Sequence, residues 1–140
     1  MIFLATPHHG SEVADLVDDS IRRMRLGFFS KPYITELRSD SSVLSDIDRG
    51  FRENLPHIAI VSFCETRGIP LTNLVSSASF VSQYKNTDRY EMVVKKASAT
   101  LGHPGEMIMP LNTDHHMICK YRSRRDGNYL AFLCVIRKLI

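Results

Sequence analysis

His57-Ile58-Ala59-Ile60-Val61-Ser62-Phe63-Cys64 decides the fold. It is rich in Ile and Val and lies between Pro56 and Gly68, so it predicts a buried strand rather than a helix. A run apolar on both faces belongs to a parallel sheet covered by helices. Working outward, Ile2-Phe3-Leu4 reads as another buried strand, stopped by Thr6-Pro7. Glu91 to Lys95, carried by Met92, Val93 and Val94, is the third strand candidate. Strands that alternate with helical patterns predict an α/β architecture.

Helices fill the intervals. Ser11 is placed to cap a helix whose apolar face is Val13, Leu16, Val17, Ile21 and Met24, ending at Gly27. Lys31 to Leu37 reads as a short helix with Pro32 near its start. A third helix follows cap candidates Ser39 to Ser42. Its face is Val43, Leu44, Ile47 and Phe51, with Asp46, Asp48, Arg49 and Arg52 turned to water. Ile69 to Arg89, Ser-rich and broken by Pro70, Asn73 and Asn86, predicts a long mobile loop. A second loop holds Gly102, Pro104, Gly105 and Pro110 and leads into Asn112 to His116. An amphipathic helix near Asn128 to Leu139, with Leu130, Leu133, Cys134 and Ile136 apolar, closes the chain.

Composition narrows the function class. The 140 residues are 44% hydrophobic and 24% charged, which excludes a disordered tail or a fibrous repeat. No apolar run reaches the ~20 residues of a membrane span, and Met1 to Pro7 lacks the basic lead-in of a signal peptide. A net charge of +3 is too mild to imply nucleic acid. The basic clusters Arg22-Arg23-Arg25 and Lys120 to Arg125 carry no interleaved aromatics that would stack bases. Three Cys without a C-x-x-C pair predict a reducing, intracellular, cytoplasmic setting. The pairs His8-His9 and His115-His116 have no ligand spacing, so neither metal nor cofactor is expected. Cys119 reads as a buried small residue. An apolar strand at the very start predicts that structure precedes Met1, because its edge needs a neighbour.

Three places could carry chemistry: Thr6 to Ser11, Glu65, and Asp114 to His116. Each follows the C-terminal end of an expected parallel strand or lies shortly beyond it, where α/β sheets gather ligands. A carboxylate after one strand and a histidine further on match the acid-then-histidine order of α/β-hydrolases.

Four segments carry a specific resemblance. Thr6-Pro7-His8-His9-Gly10-Ser11 resembles the G-T-P-H-R-G-S motif of a family of serine esterases and lipases. Ile60 to Thr66 is similar to its I-V-S-F-Y-E-T, Val93 to Gly102 to V-V-x-K-D-S-A-x-L-G, and Leu111 to Tyr121 to L-N-A-D-H-R-x-I-C-K-F. These motifs belong to the serine active site-containing protein family and to the hydrolase-like N-terminal domains of fungal NACHT and ankyrin receptors. The resemblance implies the C-terminal half of an α/β-hydrolase fold with an incomplete sheet, spanning residues 1–140. It implies carboxylic ester hydrolysis in the complete domain, with an ester or lipid substrate. His115 is then the catalytic base, Glu65 its orienting acid with Asp114 as competitor, and Thr6, Pro7 and His8 the substrate pocket.

The family's G-H-S-x-G-G elbow is missing, and no G-x-S-x-G occurs in the sequence, so the chain is expected to be inactive alone. Ala5 replaces a Gly, His9 an Arg, Cys64 an aromatic residue and Ala97 an acidic one. The alternative is a non-catalytic interaction or signalling module, as in the NACHT and ankyrin receptors, with protein partners or a missing N-terminal half. Relatives are linked to cytoplasm, mitochondrion and endoplasmic reticulum, which leaves localisation open among the three.

Overall fold

A computed structural model describes residues 1–12, 14–15, 32–55, 58–70 and 89–139. Among them, β1 (Ile2–Leu4), β2 (Val61–Glu65) and β5 (Met107–Leu111) form a parallel sheet in the order β1-β2-β5. The central strand pairs Val61 with Ile2 and Met107, and Glu65 with Leu111. All five of its residues are buried, as expected for a strand covered on both faces. Between and around these lie α1 (Pro32–Glu36), α2 (Ser42–Glu53), β3 (Ile69–Pro70), β4 (Tyr90–Glu91), α3 (Lys96–Ala99) and α4 (Gly127–Leu139). β3 and β4 form a separate antiparallel pair. The mixed α/β class and the parallel sheet agree with the sequence.

The third sheet strand is not the expected one. Of Glu91 to Lys95 only Glu91 is in a strand, joined with Tyr90 in the small pair, and Met107–Leu111 takes the place beside β2. Val94 is buried by packing on the core instead of by pairing. β5 hides in the sequence because Pro110 cannot donate to a ladder. It is tolerated here because β5 is an edge strand, with Pro110 opposite Cys64. β2 also begins later than His57, which lies outside the described residues, and runs on to Glu65. β1 is half-buried rather than buried.

The helices differ in their faces. Ser41 caps α2 by accepting from the Leu44 N–H at 3.3 Å. Val43 and Ile47 are exposed, at 45% and 62%, whereas Leu44 and Phe51 are half-buried. Asp48 is not turned to water: its side chain is 13% exposed and accepts from Arg52 Nε at 2.7 Å. Arg52 Nη2 in turn donates to the Leu101 carbonyl. On α4 the inward residues are Ala131, Phe132 and Val135, so Leu130 and Cys134 are exposed instead. Cys119 is exposed too, not buried, and all three cysteines are free. Of the first expected helix, Glu12, Ala14 and Asp15 are helical and the rest lies outside the described residues, as does 71–88 of the expected long loop. No helix among the described residues is long and apolar enough to cross a membrane.

A polar side chain on β2, Ser62, ties it to the start of β5. The Ser62 hydroxyl donates to Glu106 Oε1 at 2.5 Å, and Glu106 also accepts from the Leu101 and Gly102 N–H groups at 3.0 and 2.8 Å. Burial disfavours the Glu106 charge, but these hydrogen bonds outweigh it and hold the carboxyl below its usual value of 4.5. A depressed carboxyl contributes stability above its unfolded pKa and loses it as pH falls. Glu106→Gln keeps an acceptor but no charge, so its stability falls less steeply than wild type as pH drops below 4.5. Urea midpoints taken across that range check the difference; parallel curves refute it.

After β1 the chain turns on Ala5, which is buried with φ +43° and donates its N–H to the Phe63 carbonyl at 2.8 Å. A side chain in this region costs roughly 1–2 kcal/mol. Gly10, at φ +80°, presses on the Arg38 carbonyl and Ser39 Cα, where any Cβ would overlap. Chemical denaturation is expected to find Ala5→Gly within about 0.5 kcal/mol of wild type, because relieved strain offsets the lost methyl and added chain entropy. Ala5→Val and Gly10→Ala each lose about 2 kcal/mol or more.

Candidate functional site

The C-terminal end of β2 delivers Glu65, whose side chain is 0% exposed. A buried carboxylate needs partners, since its desolvation is costly. Oε1 accepts from the Val94 N–H at 2.6 Å, and Oε2 lies 3.5 Å from Nδ1 of His115. Neither Oε2 nor Nδ1 has another hydrogen-bond partner. The two atoms face each other at a separation that tightens to a hydrogen bond by a small movement, as is common before substrate binds.

His115 is held by the turn after β5. The Thr113 carbonyl accepts from the Thr66 and Arg67 N–H groups at 3.2 and 3.1 Å, and the Thr66 hydroxyl donates to the Leu111 carbonyl at 3.0 Å. These bonds tie the ends of β2 and β5 together. Asp114 is spent within the turn, where Oδ1 accepts from the Met117 N–H at 3.1 Å. Ile118 then anchors the loop in the core. Glu65, and not Asp114, is thus the carboxylate recorded beside the imidazole.

With Nδ1 turned to Glu65, Nε2 is the ring nitrogen left for chemistry. His115 also lines a cavity of about 510 Å³ whose other walls include Leu4, Ala5, Thr6, Pro7 and Val93. Such an arrangement fits a proton acceptor beside an apolar binding space: the acid orients the ring and steadies its cation. Ser11 borders the same cavity, but its hydroxyl donates to the Val93 carbonyl, and its own carbonyl accepts from the Asp15 N–H at 3.2 Å. It is a structural tie at a helix start.

Thr6 and Pro7 therefore meet His115 at one cavity, while His8 is found on another. The second cavity, about 230 Å³, is bordered by Thr6, Pro7, His8 and Asp48 among others. His8 sits edge-on to Phe3 with ring centroids 4.6 Å apart, and its N–H donates to the Ser98 carbonyl at 2.9 Å. The neighbouring His9 N–H donates to Ser98 Oγ at 3.3 Å. Burial lowers the His8 imidazole below the usual histidine range, against the opposing pull of Asp48 and Glu106.

Val94, which fixes the acid through its backbone, gave no sign of that role in the sequence. Asp48 did: it stands four residues after Leu44 and three before Phe51, on their face of α2. Among the described residues no cluster of three or more His, Cys, Asp or Glu could hold a metal ion. No family model, curated protein or solved structure matches the chain.

Replacing Glu65 separates its two tasks. Glu65→Gln retains an acceptor for Val94, so the fold persists, but a strongly deshielded His115 imidazole N–H resonance, present in wild type, disappears from the proton spectrum. Glu65→Leu strands the Val94 N–H and loses about 1–3 kcal/mol in denaturation. An unchanged imidazole resonance in Glu65→Gln would refute the pairing.

Proposed function

We propose that this chain supplies the general base and the orienting acid of an α/β-hydrolase-type serine esterase or lipase. The single observation that carries this is Glu65, buried at the end of β2, with Oε2 3.5 Å from His115 Nδ1 on the loop after the adjacent parallel strand. Three further features support it. The strands run parallel in the order β1-β2-β5, as three successive strands at one side of a hydrolase sheet would. Ala5 adopts the positive φ that suits the Gly of the motif it resembles. The cavity at His115 is mainly apolar, matching the acyl chain of an ester.

In this reading His115 takes the proton of a serine hydroxyl as that oxygen attacks the ester carbonyl, and returns it to the departing alcohol. Glu65 holds the tautomer that leaves Nε2 free to accept. Thr6 and Pro7 border the space for the acyl group, with His8 on the adjoining cavity. The serine and the oxyanion-stabilising N–H groups come from outside these 140 residues, since the sequence has no G-x-S-x-G. On its own the chain forms no acyl-enzyme.

Two measurements test this. The 140-residue chain is expected to turn over p-nitrophenyl butyrate no faster than its His115→Ala variant and to resist fluorophosphonate labelling. The coding sequence upstream of Met1 is expected to encode a G-H-S-x-G-G run. With that segment present, its serine becomes labelled, and His115→Ala lowers labelling and turnover at least about a thousandfold. Absence of the run, or labelling indifferent to His115, overturns the reading in favour of a non-catalytic interaction module.

A further inference from the structure

Thr6 and Pro7 border two cavities, and the smaller one is not used by the chemistry above. Its walls are apolar, chiefly Phe3, Leu44, Phe51 and Leu101, apart from His8 and Asp48. Each of those two carries one buried polar atom without a hydrogen-bond partner: Nε2 of His8 and Oδ1 of Asp48. Buried polar atoms are paired in the large majority of cases, and an unpaired one is costly. Both atoms belong to residues that border one small cavity, so a single polar group held there is the partner they have in common.

Neither atom is loosely held. Asp48 is fixed through its other oxygen by Arg52 Nε at 2.7 Å, and Arg52 is itself bound to the Leu101 carbonyl. The His8 ring is set edge-on against Phe3, and Phe3 in turn against Phe51 at 6.3 Å. Burial keeps the imidazole uncharged at neutral pH.

The chemistry of the partner follows from these groups. Asp48 Oδ1 accepts, and a neutral imidazole in its Nε2–H tautomer donates from Nε2. A hydroxyl answers both, donating to one and accepting from the other. An anion would face the Asp48 charge. An ammonium would bring a second cation beside Arg52, which already matches that charge. A plain hydrocarbon leaves both polar atoms unpaired. In size the cavity exceeds the roughly 150 Å³ that holds benzene and falls below the roughly 300–1,000 Å³ of drug-sized sites.

We propose that this cavity is a binding site for a small apolar alcohol, whose hydroxyl bridges Asp48 Oδ1 and His8 Nε2 while its ring or short chain packs between Phe3, Leu44 and Phe51. The site stands independently of the hydrolase reading, for it needs neither His115 nor Glu65.

The test titrates the chain with benzyl alcohol, toluene and benzylammonium, following side-chain NMR shifts of Leu44, Ile47 and Leu101. Benzyl alcohol is expected to give saturable shifts at these residues and to bind about tenfold tighter than toluene. His8→Phe, which keeps a ring against Phe3, abolishes that preference without weakening toluene. Leu44→Trp fills the space and removes binding of both. Toluene binding as tightly as the alcohol, benzylammonium binding tighter, a preference that survives His8→Phe, or no shifts at these residues overturns the proposal.

Discussion

The carboxylate of Glu65 is the constraint around which the described structure is arranged. A charge at the end of a fully buried strand is tolerated only where other groups come to it. Val94 brings a backbone N–H from a connection 29 residues further on, and His115 brings an imidazole from the loop after β5. Both are held by the core, through buried Val94 itself and through Ile118. One carboxyl group thus gathers three chain segments that share no local sequence signal.

Ser62 and Glu106 do the same work at the other side of the sheet. β2 is apolar apart from Ser62 and Glu65, and an apolar strand buried on both faces specifies its register weakly. A slip of one residue against β5 would part Ser62 from Glu106 and move Glu65 away from the Thr113–His115 turn. The two polar residues therefore lock β2 to β5 near the start and beyond the end of their ladder. The acid–histidine distance is a product of that register, because the Thr66 and Arg67 N–H groups meet Thr113 only in it.

The sequence made the α/β class, the central strand, and α2 with its cap legible, because each rests on local patterning. It concealed β5, whose Pro110 and flanking glycines imitate a loop; only an edge position, a tertiary fact, makes that proline acceptable. Val93 and Val94 misled for the converse reason. Their burial comes from packing and from service to Glu65, whereas β-propensity reports only fitness for a half-buried surface. The Leu130 and Cys134 assignments failed by one helical position, since α4 presents Ala131, Phe132 and Val135 to the sheet. The pairing of Glu65 with His115 was anticipated from strand order, but the choice against Asp114 needed the turn, where Met117 occupies that carboxylate.

The two histidines near Thr6-Pro7 show how the same side chain is steered to different ends. His115 has a buried carboxyl oxygen 3.5 Å from one nitrogen and a cavity beside it. His8 has no such contact: Asp48 is bound to Arg52 through its other oxygen, and burial lowers the ring's pKa against the pull of that carboxylate. The first ring stands beside a buried carboxyl group, the second edge-on to Phe3 with its Nε2 unpartnered. Thr6-Pro7 is flanked by the positive φ of Ala5 on one side and by the close approach of Gly10 to Arg38 on the other. Held between these two points, Thr6 and Pro7 form a wall common to both cavities.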